Sequence, residues 1–415
     1  MRVFLLFSAL FVAAFASGQG PGEPCLAQII DQKTRANHRL YLEDLQHKIA
    51  SWAANRSFAK NQSALLQIPV VFHVVYNPTQ AGSNLSRETL LAQLDVLNED
   101  FRRLNADTAL TREVFKGIAA DLQIEFVIAQ RDPEGNPTDG VTRTESLKNF
   151  NVFVFPDDVK YNDRGGKDAW PAGEYLNFWT CDMSLIATQF VIGYAQFPGG
   201  NPETDGIVVQ WQYVGRPSAS GGKGRTATHE VGHWLGLRHI WGDGNCAASD
   251  FVDDTPNAAE AHYGCLDVNS CSEEHPFWNG QNPPDMTENY MDYSDDACMN
   301  SFTAGQRARA QFFLENDSLR KALFTSKGGQ APEGTGITAV SNEPKARLFP
   351  NPGSGFYIQG VQPHQIAVRD LAGRSVSYSG NGDHYIDMSA QPGGIYFVEV
   401  TDREGKVSRL RWIKD

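Results

Sequence analysis

The stretch His229-Glu230-Val231-Gly232-His233-Trp234-Leu235-Gly236-Leu237-Arg238-His239 packs three histidines and a glutamate into eleven residues. In an α-helix, side chains four apart share one face, one turn above the other. His229 and His233 can therefore hold a single Zn²⁺ between them. Glu230 follows the first ligand and leans over the open side of such a metal, where it can take a proton from a water held there. His239 sets the harder condition. A helix continued past His233 would carry it roughly 240° around and roughly 9 Å along the axis, out of reach. The helix must end and the chain must turn back. Gly236 stands where that turn is needed, and glycine accepts the left-handed conformation that ends a helix.

The rest of the chain has the character of an exported protein. It holds 415 residues, enough for two or three domains. Its net charge of −13 argues against a nucleic-acid partner and suits a secreted, calcium-binding protein. Residues 1–18 read as a signal peptide: Arg2 is followed by an apolar run from Val3 to Phe15, with Ala14, Ala16 and Gly18 offering a cleavage site. That run is too short for a comfortable transmembrane segment, and no later stretch approaches the length of one. Export permits disulfides among the six cysteines, and four of these, Cys246, Cys265, Cys271 and Cys298, fall in one stretch after the histidines. Four cysteines allow three pairings, and the sequence by itself does not choose among them.

Residues 19–63 read as a pro-segment whose second half is helical, with Leu42, Leu45, Ile49 and Trp52 at steps of three and four. Its lone Cys25 is a candidate latency switch, a thiol able to ligate the metal and displace the water. Arg56 and Lys60 are candidate activation cuts. IPVVFHVVYN then reads as a buried strand with His73 as a core histidine. Ser86 caps a helix whose Leu90, Leu91, Leu94, Leu97 and Phe101 belong to the core. LQIEFVIAQ and YLNFWTC read as further strands, with Cys181 a buried free thiol. DGIVV, just before the histidine helix, is expected to be the edge strand on which an extended substrate pairs.

After His239 the sequence loses regular periodicity over residues 241–280, and a loop of that length needs the cysteines as staples. Asp250, Asp253, Asp254 and Thr255 gather hard oxygen donors suited to calcium. His262 and His275, without paired spacing, read as surface residues. Beyond them comes Asn289-Tyr290-Met291-Asp292-Tyr293. Behind a zinc site of this extended type, Met291 supplies an adaptable apolar floor for the imidazoles. Tyr293 can turn its hydroxyl toward the metal and stabilise a tetrahedral oxyanion.

HEVGHWLGLRH with NYMDY behind it resembles the metzincins, and GRTATHEVGHWLGLRHIWGD, FVDDTP and DDACMNSFT resemble their pappalysin branch, including its ulilysin-like members. The resemblance spans roughly residues 68–323. It implies a zinc endopeptidase acting on proteins or peptides, with His229, His233 and His239 as ligands, Glu230 as general base, Met291 under the site and Tyr293 as oxyanion stabiliser. It also implies disulfides Cys246–Cys271 and Cys265–Cys298, and calcium near Asp250 and Thr255. Two departures stand out. Arginine-directed members place an aspartate immediately before the cysteine that follows the methionine turn, where this chain has Ala297 with Asp295 and Asp296 just upstream, which leaves a preference for basic residues open. The family's latency motif has glycine after the cysteine, where this chain has Leu26.

The tail alternates short strands with glycine turns, which reads as a small β-sandwich. Its LFPNP, VRDLAGR and GGIYFVEV strings resemble the C-terminal sorting domain of type IX secretion. That implies passage through an outer membrane by way of the secretion machinery, followed by release or attachment to the bacterial cell surface. The expected architecture is α+β. A metzincin-type catalytic domain with a mixed sheet and a zinc-binding helix occupies residues 64–325. A linker at 326–345 and a β-sandwich at 346–415 follow.

Overall fold

The computed structural model describes residues 25–35, 38–55, 65–183, 191–216, 222–332, 346–349, 353–359, 363–371, 373–380, 385–402 and 407–414. The candidate signal peptide and the candidate cuts Arg56 and Lys60 lie outside the described residues. The chain divides into two compact units, Met1–Glu333 and Gly334–Asp415.

The first unit is built on β1 (Leu66–Tyr76), which is central in a mixed sheet. Its run of β-branched and aromatic side chains is buried on both faces, as a strand covered on two sides requires. Helices α1 (Ala27–Thr34) and α2 (His38–Asn55), in the candidate pro-segment, precede it, and α3 (Arg87–Phe101) and the single turn α4 (Glu113–Lys116) follow. After the short β2 (Ala119–Ala120), strands β3 (Ile124–Ile128) and β4 (Val141–Glu145) pair with successive halves of β1, and β5 (Leu176–Cys181) pairs on its other side. All of these pairings are parallel. The short β6 (Gly193–Ala195) and β7 (Ile207–Gln210) complete the sheet in the order β3-β1-β5-β7-β6. β7 pairs parallel to β5 and antiparallel to β6, so β6 is the edge.

DGIVV is therefore interior, which corrects the expectation that it is the substrate-pairing edge. The true edge is three residues long and carries a glycine, too short for any period of two to register.

Helix α3 starts at the Ser86 cap, whose hydroxyl accepts from Thr89 N, and buries Leu90, Leu94, Leu97 and Phe101. Helix α5 (Arg225–Trp234) packs against α3, β6 and β7. The short β8 (Phe302–Thr303) pairs with β2 and leads into α6 (Ala304–Asn316), which opens on a capping box between Thr303 and Gln306. Helix α7 (Ser318–Ala322) is pinned through Arg320, whose guanidinium meets the buried Asp205 carboxylate at 2.8 and 2.9 Å; Asp205 also accepts from Trp234 Nε1 at the end of α5.

His73 is fully buried, hydrogen-bonded to Thr142 and Asn177, and burial lowers it to about 4, so it is a neutral core histidine. Cys181 is buried in the core beside Trp179 and Val208, with its thiol pushed up by burial. Residues 326–332, read above as the start of a linker, instead pack on the first unit: Gly328 O accepts from Gln130 N and Arg131 N, and a side chain at Gly328 would overlap Tyr175.

The second unit has two antiparallel sheets. β9 (Arg347–Phe349), β10 (Gly355–Gln359), β12 (Ser379–Gly380) and β13 (Tyr385–Asp387) form one, and β11 (Pro363–Arg369), β14 (Gly394–Asp402) and β15 (Val407–Lys414) form the other. Phe356 and Ile386 from the first sheet and Val368, Val398 and Trp412 from the second share one apolar core. Among the described residues no helix is long and apolar enough to cross a membrane.

Candidate active site and metal centre

Helix α5 is buried along its whole length, and its end shows how His239 returns. Gly236 N donates to His233 O and Leu237 N to Gly232 O, with Gly236 at φ +87°: the left-handed helix ending that a glycine permits. A side chain at Gly236 would also overlap the Phe313 ring of α6. Gly232, within the motif, is required as well, because a Cβ there would overlap Met291 Sδ. Met291 is fully buried and lies against the ligand-bearing helix at that point.

The turn brings the three imidazoles together. His233 Nε2 lies 3.0 Å from His229 Nε2 and 3.1 Å from His239 Nε2. Each opposite nitrogen faces an acceptor: His229 Nδ1 meets Tyr290 O at 2.8 Å, His233 Nδ1 meets Leu237 O at 2.8 Å, and His239 Nδ1 meets Asp243 Oδ1 at 2.5 Å. A carbonyl or carboxylate oxygen can only accept, so each Nδ1 carries the proton and each Nε2 turns a lone pair inward. Burial, and then the neighbouring rings, lower His229 to about 3 and His233 well below the usual range. Three neutral acceptors converging in a dry pocket, each oriented by a partner behind it, form a donor set that fits Zn²⁺.

Two further groups face this centre. Glu230 is buried and burial raises its carboxyl well above the usual range. Cys25 Sγ lies 3.4 Å from Glu230 Oε2 and sits with the three imidazole nitrogens in one cluster whose ligand atoms are all within 4.8 Å of one another. Cys25 and Leu26 are held there by the backbone. Cys25 bridges to Gly193 of β6 in parallel fashion, and Leu26 N donates to Gly193 O. Gly193 is small because a Cβ would come within 2.6 Å of Glu230 Oε1. The edge strand thus runs directly over the glutamate. Tyr293, half-buried, donates from its hydroxyl to Cys25 O at 3.3 Å, and its ring lies 4.8 Å from that of His239.

Several neighbours gave little warning in the sequence. Trp241 stacks on His239 at 4.3 Å. Arg238, buried beside His239, is contacted by Gln28 and, at 3.8 Å, by Asp31 of α1. Asp100 of α3 accepts from Thr228 and Tyr290 and faces Arg225, joining α5 to the methionine turn. Only Asp243, four residues after the third histidine, had a readable signal, since a ligand imidazole calls for a carboxylate behind it.

The segment from Ile240 to Ser301 carries almost no regular structure and is stapled by Cys246–Cys271 and Cys265–Cys298. His262 is buried, which corrects its reading as a surface residue: Nε2 meets Asp285 at 2.8 Å and Nδ1 meets Asp292, the residue between Met291 and Tyr293, at 3.1 Å. Burial by itself would lower this imidazole, but the two carboxylates outweigh it and hold it up at about 9. His275 is half-buried. Asp250 is buried and accepts from Thr255 Oγ1 at 2.8 Å, while Asp254 caps α6 through Thr303 and Gly305. Asp250 belongs to neither of the His, Cys and carboxylate clusters of metal-binding size among the described residues. Asp296 accepts from Lys223 N and Arg225 N at the start of α5, and Ala297 is exposed.

Residues 160–315 match the peptidase M43 family model, described as pregnancy-associated plasma protein-A, and residues 347–414 match a secretion system C-terminal sorting domain. An extracellular metalloprotease of Verticillium alfalfae is 32% identical over 58% of this chain and 75% of its own length. One from Colletotrichum graminicola is 31% identical over 74% of this chain and 94% of its own length. The chain belongs to the M43 metallopeptidase family. Solved structures agree. A promirolysin mutant from Tannerella forsythia is 38% identical, covering 75% of this chain and 99% of its own, with a TM-score of 0.64. Mature mirolysin in complex with a cleaved peptide is 42% identical over 65% of this chain and 99% of its own, with a TM-score of 0.58. This protein is thus an extracellular zinc metalloprotease with a sorting domain for outer-membrane translocation.

Proposed function

We propose that the protein is a secreted endopeptidase made as a zymogen, in which His229, His233 and His239 hold zinc and Glu230 moves the proton. The convergence of three inward lone pairs beside a buried carboxylate is the observation that carries this reading. When bound, zinc supplies a Lewis acid and lowers the pKa of water. Glu230 takes the proton of the attacking water and returns it to the leaving amine, so one carboxylate serves as base and then as acid. Tyr293, its hydroxyl freed from Cys25 O once the pro-segment leaves, donates to the developing oxyanion. An extended peptide pairs with β6, the edge that the pro-segment covers here. Asp243, Tyr290 O and Leu237 O keep the imidazoles in the ligating tautomer. Met291 and Gly236 shape the site without touching substrate.

Cys25 would join the three histidines in holding the metal and would keep water away from it, which makes residues 19–63 an inhibitory pro-segment after the signal peptide of residues 1–18. The catalytic domain then runs from residue 64 through the packed residues 326–332, and a linker leads to the sorting domain at 346–415. The likeness to a promirolysin supports the zymogen, and the cleaved peptide held by mature mirolysin supports a protein or peptide substrate. Asp250 and Thr255, a buried carboxylate and hydroxyl, are the proposed calcium donors. Adding calcium to chelator-treated protein should raise its Tm, and Asp250→Asn should remove that gain.

Casein and a peptide library digested with and without a zinc chelator test the central reading. Internal cuts that stop with chelator and return with added zinc are expected. Digestion indifferent to chelator, or no cuts by the processed protein, would overturn it. The residues flanking each cut read the specificity directly.

A further inference from the structure

The pro-segment is held at two separate places. The first is the cleft, where Cys25 and Leu26 lie on β6 and Gln28 and Asp31 reach Arg238. The second is the surface of α6. There Leu45, Ile49 and Trp52, a stripe at positions i, i+4 and i+7 of α2, bury themselves on Phe312 and Phe313 in an apolar cluster of their own. Trp52 meets Phe312 edge-on at 5.8 Å and donates from Nε1 to Glu315 Oε2 at 3.1 Å, and Arg309 Nη1 donates to Gln46 Oε1 at 3.2 Å. Arg309 also donates through Nε to Gly236 O at 2.8 Å, so the α6 surface backs onto the turn that places His239.

Both anchors lie N-terminal to Arg56 and Lys60, the basic residues that offer activation cuts. Cleavage there separates the pro-segment covalently and leaves every contact of both anchors intact. Two anchors on one peptide make the second engagement intramolecular, which raises retention over either alone by roughly 10²–10⁴.

We propose that the α6 surface around Phe312 and Phe313 is a docking site for the excised pro-segment, so that cleavage between α2 and β1 yields a two-chain latent complex. Activity then follows only when the pro-segment is destroyed or diluted away. This rests on the zymogen reading and deepens it.

The test uses the full chain with residues 56–64 replaced by the recognition sequence of an exogenous protease, and the same chain carrying Leu45→Asp and Ile49→Asp. After cutting, the mature enzyme is identical in the two. Before cutting, the parent should not hydrolyse a reporter peptide. After cutting at micromolar concentration, the parent's pro-segment should co-elute with the enzyme, with activity at least about tenfold below the variant's and rising on dilution. The variant's pro-segment should separate. In a second arm, synthetic peptide 25–55 is added to enzyme released from the variant; the parent peptide should inhibit about 100-fold more strongly than one bearing the two aspartates. Release of the parent's pro-segment with immediate full activity, or equal inhibition by both peptides, would overturn the docking site and leave the zymogen reading standing. Hydrolysis by the uncut parent would overturn both.

Discussion

The histidine-bearing turn of residues 229–239 and the long segment of residues 240–301 meet where His229 Nδ1 reaches Tyr290 O, and they are held by opposite means. The first is fixed mainly by main chain: a buried helix, a glycine ending and hydrogen bonds from His229 and His233 to backbone carbonyls. The second has almost no secondary structure and is fixed by side chains, through two disulfides, His262 between Asp285 and Asp292, and Asp250 on Thr255. Rigidity at a metal site can therefore come from either source. A main-chain device fails at one atom, whereas side-chain staples fail one at a time.

The largest effect is expected at Gly236. Alanine there meets both a positive φ and the Phe313 ring, with a cost of about 3 kcal/mol or more. Zinc content and hydrolysis should fall together in Gly236→Ala, and a variant with full zinc and activity would break the contrast. Opening Cys265–Cys298, which closes a loop with a sequence separation of 33, should cost about 3–4 kcal/mol in the long segment. Urea unfolding of Cys265→Ser/Cys298→Ser reads this directly, and the variant should retain zinc in the native state.

His262 sharpens the comparison through pH. Its imidazole is raised from 6.5 to about 9 in the folded protein, so the stability it adds is fully present below pH 6.5 and is lost as pH climbs through 9. The Tm of the parent minus that of His262→Gln should accordingly shrink between those values, and a constant difference would remove the charged pin. The smallest effect is expected for Thr255→Val, which takes one hydrogen bond from buried Asp250 and should cost about 1–2 kcal/mol.

The same division explains what the sequence revealed. Main-chain devices have periods and special residues, so the ligand helix, its glycine ending, the Ser86 cap and the apolar stripe of α2 could be read directly. Side-chain staples join residues far apart in the chain. His262 and Asp292 are separated by 30 positions, and nothing local marks either as buried. The disulfide pairing came only through family resemblance. The edge strand β6 escaped because three residues hold no pattern, and Gly193 acquires its meaning only when Glu230 lies beneath it. Asp100 and Asp205 take their roles from partners distant in the chain, Tyr290 and Arg320.

Cys25 tests the join between the site and its cover. Cys25→Ala in the uncut chain should hydrolyse peptide at least about tenfold faster than the uncut parent, since one of the cluster's four ligand atoms is gone. The most direct test of the whole account is Glu230→Ala, with zinc content and peptide hydrolysis measured on the same processed sample. The account predicts zinc retained at the parent's level and hydrolysis lower by at least about 10²-fold, because the three imidazoles are untouched while the proton carrier is gone. Parent-like hydrolysis in that variant would contradict it.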